Sequence, residues 1–317
     1  MQTLTLGGDI GGTKTLLALA DAAGNILLER RFASSASPDF DSVLEAFLKE
    51  ARAAGHTAPI RAACFGVAGP VDGNRAKLTY LPWHMDGAAI ATGHGIGSVR
   101  LANDFEATAS AIPGLVPQQF LTLQAGEPLA QAPKVVLGAG TGLGVASLIW
   151  QGARYTVVPG EGGHMGFAPT DEEQAGLWRH LWADQGRVTA ETVVSGNGLS
   201  RIHRYLGGGK VLAEPARISA QALEEDTLAL ASCDLFLRCY GAFAGDLALM
   251  LLARGGVFLC GGIAPKLQPL FEAAGFLSAF NAKGCHEHLA AAMPVHVVTE
   301  ERLGLLGALA IANALSA

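Results

Sequence analysis

Apolar and polar positions alternate at two different periods along this chain, and the switches between them outline its elements. The opening LTLGGDIGGTKTLLALADAAGNILLERRF, residues 4–32, reads as strand, glycine turn, β-rich run, a DAAGN turn and a further strand, which predicts an antiparallel meander. Phe40, Val43, Leu44, Phe47, Leu48 and Ala51 then recur at helical spacing. A buried-strand run from Ala62 to Val67 ends in the turn AGPVDG, so a mixed α/β architecture is already implied. Another strand, Val99 to Ala102, runs straight into NDFEATASAI, where Asn103 or Asp104 is placed to cap a helix beginning at Phe105.

From Leu121 to Pro133 the pattern becomes polar and loop-like before restarting as KVVLGAGTGLGVASLIWQGARYTVV. Residues 137–144 of that run align with residues 6–13, pairing two strand, glycine turn, strand units as an internal repeat. Helical patterns follow over Glu172 to Trp182, Ala190 to Leu206 and a long apolar stretch ending at Ala253. Asp234, Arg238 and Asp246 interrupt that stretch, which makes it a core helix rather than a membrane span, and Gly241 with Gly245 mark close helix packing. Strands are expected at Val257 to Cys260, which ends in Gly261-Gly262, and at Val295 to Val298, with a last helix from Leu303 to Leu315.

Composition narrows the class. At 317 residues, half of them hydrophobic and with a mean hydropathy of +0.31, the chain outgrows one core and predicts two domains. The expected division is 1–110 completed by the helix 302–317, and 111–301. A net charge of −6 gives no general attraction to nucleic acid or anionic membrane, so neither is expected as a partner. Five cysteines without a CxxC, and an N-terminus without a basic region before its apolar run, point to a reduced, cytoplasmic setting.

Both glycine turns end a strand, which lets backbone N–H groups converge on an anion because no Cβ stands in the way. Neither is a P-loop, since Thr13 stands where that motif needs Lys, and no GxGxxG precedes a helix. In the first turn Asp9 is suited to orient Mg²⁺ through water, with Thr13 and Lys14 donating to phosphate oxygens. The trio His286-Glu287-His288 lacks the spacing and companions of a zinc site.

Taken in order, Asp9-Ile10-Gly11-Gly12-Thr13, Leu101-Ala102-Asn103-Asp104-Phe105, Gly138-Ala139-Gly140-Thr141-Gly142, Pro159-Gly160-Glu161-Gly162-Gly163-His164 and Gly261-Gly262-Ile263 closely resemble the bacterial glucokinase family. The resemblance implies an α/β protein of two actin-like ATPase (ribonuclease H-like) domains with a cleft between them, acting on ATP and glucose as a homodimer. By matching positions it implies that Gly8, Asp9, Ile10, Gly11, Gly12, Thr13 and Lys14 hold ATP phosphates together with Gly140, Thr141 and Gly142, and that Gly261 and Gly262 lie near adenosine. Asn103, Asp104, Glu161, His164 and Glu191 would surround the sugar, a set that offers both acceptors and donors to hydroxyls.

Asp104 is the expected general base, taking the proton of the attacking hydroxyl as the Asp of a protein kinase does. A helix cap is the competing role for Asp104, and a favourable first-turn acid the competing role for Glu191. The zinc motif of the broader repressor and kinase family is absent, whereas Lys14 is more typical of that family, and Tyr80 replaces an Asn common in glucokinases. Alternatives are a kinase for another hexose or amino sugar, and a non-catalytic sugar sensor, for which the sequence before the first expected strand leaves no room for a DNA-binding helix-turn-helix.

Overall fold

The computed structural model describes residues 3–79, 81–209, 213–271 and 275–316, so Tyr80 lies outside the described residues. The chain forms two compact units, Met1–Leu115 with Glu301–Ala317, and Val116–Glu300.

In the first unit β1 (Leu4–Ile10), β2 (Lys14–Ala20) and β3 (Ile26–Ala33) form the expected meander. Helix α1 (Phe40–Ala53), capped by Asp39, buries its whole apolar stripe and sets Phe40 edge-on against Phe65 of β4 (Ile60–Val67). A small antiparallel sheet of β5 (Val71–Asp72), β6 (Arg75–Lys77) and β7 (His84–Asp86), then α2 (Gly87–His94), lead to β8 (Ser98–Asn103) and α3 (Asp104–Ala111). These short strands left no trace in the hydrophobic pattern, because two or three residues cannot display a period of two. The main sheet runs β3-β2-β1-β4-β8, with β1, β4 and β8 parallel.

The C-terminal helix, Leu303–Ser316, packs on β1 and α3. Close approach is possible because glycine faces both neighbours: a Cβ on Gly7 would lie 2.6 Å from Leu309 Cγ, and one on Gly307 would lie 1.6 Å from the Ala107 carbonyl oxygen. The unit therefore keeps α3 and the turn that follows it, and the chain leaves after Leu115 rather than at the expected residue 110.

The second unit repeats the strand order. Strands β10 (Lys134–Ala139), β11 (Leu143–Trp150) and β12 (Tyr155–Gly160) form a meander, β13 (Val257–Cys260) and β14 (Val295–Val298) add parallel to β10, and β9 (Phe120–Gln124) closes the far edge. The strand β9 occupies part of the segment expected to be loop; it is a five-residue edge strand paired with β14, and its apolar Phe120, Leu121 and Leu123 are none of them fully buried.

Between β12 and β13 come α4 (Glu172–Gln185), α5 (Ala190–Val193), α6 (Gly196–Leu206), α7 (Pro215–Leu223) and α8 (Thr227–Leu251), with α9 (Phe276–Asn281) and α10 (Glu287–Ala291) before β14. The single helix expected over 190–206 is two, because Ser195 caps α6 and Gly198 sits where a Cβ would be 1.9 Å from the Val193 carbonyl oxygen.

By length and composition α8 could cross a membrane, yet 72% of its apolar window is buried in the protein. Its charges are paired: Arg238 bonds Asp234 at 2.9 Å, Asp171 at 2.7 Å and Glu173, while Asp246 meets Lys283 at 2.7 Å. Gly241 and Gly245 let α9 approach, since Cβ atoms there would lie 2.2 Å and 2.3 Å from the carbonyl oxygens of Phe276 and Phe280. Among the described residues no His, Cys, Asp and Glu cluster could hold a metal ion, and all five cysteines are free thiols.

The contact of Gly307 with backbone leaves no flexible group to move aside. Gly307→Ala is expected to destabilise the protein by about 3 kcal/mol, the upper part of the overpacking range, read as a lower urea midpoint at unchanged m-value.

Candidate active site

The site residues of the first unit gather at the carboxyl ends of its parallel strands, where ligands of open α/β sheets bind. Asp9 of β1, Gly66 of β4 and Ala102 of β8 are in register, so the carboxylate of Asp9 and the residues after Ala102 are separated by a position without a side chain. A Cβ on Gly66 would lie 2.8 Å from that of Ala107, which is how α3 settles onto the strand ends.

At the start of α3 the two candidate caps separate. Asn103 takes the N-cap: its Oδ1 accepts the Phe105 N–H at 2.9 Å, and its Nδ2 donates to the Gly69 carbonyl at 3.4 Å. Asp104 becomes the first helical residue, with Oδ1 accepting the same Phe105 N–H at 2.8 Å. Burial pushes the Asp104 carboxyl above its ordinary range, against the Phe105 N–H, its own N–H and the Asn103 side chain, which favour the charged form.

Asp9 is also raised, chiefly by burial and further by the nearby Asp104 charge, with Lys14 opposing. Its carboxylate accepts no hydrogen bond among the described residues. It lies against the first turn of the C-terminal helix, where a Cβ on Gly304 would be 2.9 Å from Asp9 Cγ. Gly8 and Ile10 sit lower in the strand: a Cβ on Gly8 would meet Phe65 at 2.7 Å, Ile10 is fully buried, and its carbonyl accepts the Ala68 N–H.

The turn above them is closed by the Gly11 N–H donating to the Lys14 carbonyl at 2.9 Å. Neither the Gly12 nor the Thr13 N–H finds an acceptor among the described residues, and Thr13 and Lys14 are exposed. Two free N–H groups, a hydroxyl and an ammonium on one short turn suit an anion with several oxygens.

The second unit carries the matching turn between β10 and β11. The Gly140 N–H donates to Gly142 at 2.9 Å, and the Gly196 N–H at the start of α6 donates to Gly140 at 2.8 Å. The Thr141 and Gly142 N–H groups are without acceptors among the described residues. Glu191, on α5, reaches this turn: its Oε2 accepts the Leu143 N–H at 2.9 Å, and a Cβ on Gly142 would lie 2.6 Å from it.

Glu161 and His164 flank a short 3-10 turn laid on β11, with Gly163 against the Leu143 carbonyl. Their side chains are exposed, with His164 Nε2 3.8 Å from Glu161 Oε2. The Ala190 N–H donates to Met165 at 2.8 Å, so α5 with Glu191 is fastened to that loop. Gly261 follows β13 at φ +84, and a Cβ there would be 2.5 Å from the Ala139 carbonyl oxygen; Gly262 beside it is open.

Thus the structure gathers Asp9, Gly11, Gly12, Thr13, Lys14, Asn103 and Asp104 in the first unit, and Gly140, Thr141, Gly142, Glu161, His164, Glu191, Gly261 and Gly262 in the second. Sequence reasoning missed Gly66, Gly304 and Ser34, which lies beneath the first turn; a glycine inside an apolar strand run was a usable signal for the first of these.

The sequence model of the glucokinase family matches residues 6–315. The chain belongs to that family. A glucokinase of Nostoc sp. strain PCC 7120 is 40% identical over 338 residues, covering 97% of this chain and 98% of that protein. Among solved structures, a glucokinase from an Antarctic psychrotroph superposes with a TM-score of 0.89 at 30% identity, covering 98% of this chain and 99% of that one. A ROK family glucokinase from Streptomyces griseus, solved with glucose and AMPPNP, superposes at a TM-score of 0.62 and 23% identity over 98% and 99% of the two chains, which speaks for the fold alone. Membership in the glucokinase family makes the chain an enzyme with the actin-like ATPase fold of sugar kinases.

The raised carboxylates carry a stability consequence. A group whose pKa rises on folding contributes stability that is complete below its unfolded value, 3.8 for Asp, and is lost as pH climbs through the folded value. At neutral pH the free protein therefore bears the cost of ionising Asp104 beside Asp9. Asp104→Asn is expected to raise the urea midpoint at neutral pH, and the gain should disappear as the pH is taken below 3.8.

Proposed function

We propose that Asp104 is the general base in the reaction this chain catalyses, the ATP-dependent phosphorylation of glucose to glucose 6-phosphate. The observation that carries this reading is the division of labour at the start of α3. Asn103 caps the helix, so the Asp104 carboxylate is not needed for that purpose and keeps oxygen lone pairs for a ligand. Burial holds its affinity for a proton above that of an exposed carboxylate, which suits a group that must take one from a hydroxyl.

In this reading the Gly11 to Lys14 turn of one unit and the Gly140 to Gly142 turn of the other hold the phosphates through their free N–H groups. Gly261 and Gly262 lie toward adenosine. Asn103, Glu161, His164 and Glu191 hold the sugar with Asp104. Their mix of amide, imidazole and carboxylate is able to distinguish hydroxyl patterns, since a missing hydroxyl leaves a polar group unpaired.

The residues also fit Mg²⁺. Asp9 is a half-buried carboxylate without a hydrogen-bond donor, below a turn suited to phosphate, and would hold the ion through its water shell. When bound, Mg²⁺ neutralises charge on the phosphates. The chain's own part is to place the sugar hydroxyl at Asp104 and the phosphates on the two turns. We further propose a cytoplasmic homodimer with neither nucleic acid nor membrane as partner, in keeping with the net charge of −6 and the buried position of α8.

The test is Asp104→Asn, which keeps shape but cannot take a proton. Its kcat is expected to fall by roughly 10²- to 10⁴-fold, the usual contribution of general-base catalysis, while glucose affinity in an equilibrium titration stays near that of the wild type. The wild-type kcat/KM should fall on the acid side with an apparent pKa above 3.8. Near-normal turnover of the variant would remove Asp104 from the role. A coupled ADP-release assay against glucose, mannose, fructose, N-acetylglucosamine and no sugar ranks the substrates by kcat/KM, with glucose expected first.

A further inference from the structure

Below the first glycine turn lies a pair of hydroxyls, each fully buried and each spent on the turn. Ser34 follows β3, and its Oγ donates to the Gly11 carbonyl at 2.7 Å. Its backbone N–H donates to the Thr13 carbonyl at 3.1 Å. Thr15 Oγ1, on β2, lies 3.0 Å from Ser34 Oγ. A hydroxyl has one proton, and that of Ser34 goes to Gly11, so Thr15 must be the donor in its contact with Ser34. The result is a relay from Thr15 to Ser34 to the Gly11 carbonyl.

The geometry has a directional effect. In a trans peptide the C=O and the N–H of the next residue point opposite ways, and the described residues contain no cis peptide bond. By drawing the Gly11 and Thr13 carbonyls toward itself, Ser34 turns the Gly12 and Lys14 N–H groups the other way, and the Gly12 N–H is one of the two donors that the turn leaves without an acceptor among the described residues. The Gly11 carbonyl, which a tight hairpin would offer to the Lys14 N–H, accepts from Ser34 Oγ, and no bond from the Lys14 N–H to it forms. The turn is thus held by two bonds at Gly11, its N–H to the Lys14 carbonyl and its carbonyl to a side chain from just beyond β3.

We infer that Ser34, supported by Thr15, is a positioning residue that aims the backbone donors of the first glycine turn at the nucleotide phosphates. The inference rests on the reading that this turn binds phosphate. Neither hydroxyl touches the ligand in this scheme; both are buried and act only through the orientation of peptide groups.

The experiment compares Ser34→Ala, Thr15→Val, Thr15→Ser and Thr13→Ala, each assayed for KM of MgATP and of glucose, titrated with a non-hydrolysable ATP analogue, and unfolded in urea. Loss of one oriented hydrogen bond predicts a rise of about tenfold in KM for MgATP in Ser34→Ala, with KM for glucose unchanged and analogue binding weakened alike. Thr15→Val should move in the same direction by a smaller factor, and Thr15→Ser, which keeps the hydroxyl, should restore wild-type values.

If Thr13→Ala raises KM for MgATP while Ser34→Ala and Thr15→Val do not, the positioning role is wrong and the phosphate reading of the turn stands. If Thr13→Ala is also silent and the non-hydrolysable analogue protects none of the turn's backbone N–H groups from hydrogen exchange, the phosphate reading fails and takes this inference with it. Equal losses for both substrates, tracking a lower urea midpoint, would reduce Ser34 to a packing role and overturn the proposal. Should Ser34→Ala not fold, the contrast between Thr15→Val and Thr15→Ser decides the question.

Discussion

The first unit depends on how closely its C-terminal helix can approach. That helix brings Gly307 onto the backbone of α3 and Leu309 into the space left by Gly7 of β1, while Gly304 stands over the carboxylate of Asp9. A side chain at any of these positions would hold the helix off by a distance comparable to a Cβ. Both Asp9 and the helix that begins at Asp104 would then lose the surface that fixes them. Dispersion contacts fall away steeply with such a gap, so the cost would be felt in packing as well as in geometry. The candidate chemistry of this unit is in that sense set by glycines that touch no ligand.

A second constraint is electrostatic. Asp9 and Asp104 are both half-buried and both bear a cost of ionisation through desolvation, to which the Asp104 charge adds at Asp9, where only Lys14 opposes it. A fold selected for stability alone would place neither there. Asn103 meanwhile does the ordinary work of capping, so the unusual residue is the one left over. The same economy recurs in the second unit, where Glu191 is at once a first-turn residue of α5 and the acceptor for the Leu143 N–H beside the second turn. Its expected roles in helix and site are compatible because the helix is only Ala190–Val193 and lies against the turn.

Much of this was legible in the sequence because long periodic segments and glycine turns follow from local physics. The stripe of α1, the meander around Asp-Ala-Ala-Gly-Asn, the two glycine turns and the last helix all declare themselves within a window of a dozen residues. What escaped depends on tertiary partners. β9 is a strand only because β14 offers it an edge, and the break between α5 and α6 comes from a glycine pressed on a carbonyl. Ser34 and Thr15 look like any other hydroxyls until the turn they hold is seen above them. The choice between Asn103 and Asp104 as cap could be framed from sequence, but required the backbone of residue 103 to be decided.

The division of the chain also has a meaning in time. The second unit is an uninterrupted stretch, Val116–Glu300, whereas the first is split and takes its C-terminal helix from residues made after the second is complete. On a ribosome adding roughly 5–20 residues each second, the later unit in sequence is the earlier one able to finish folding, and the sheet that bears Asp9 and Asp104 must wait with one face uncovered. Nascent chains of this protein should therefore spend their most vulnerable interval with an open N-terminal sheet, and a chaperone that shields exposed apolar strands would find its principal target there.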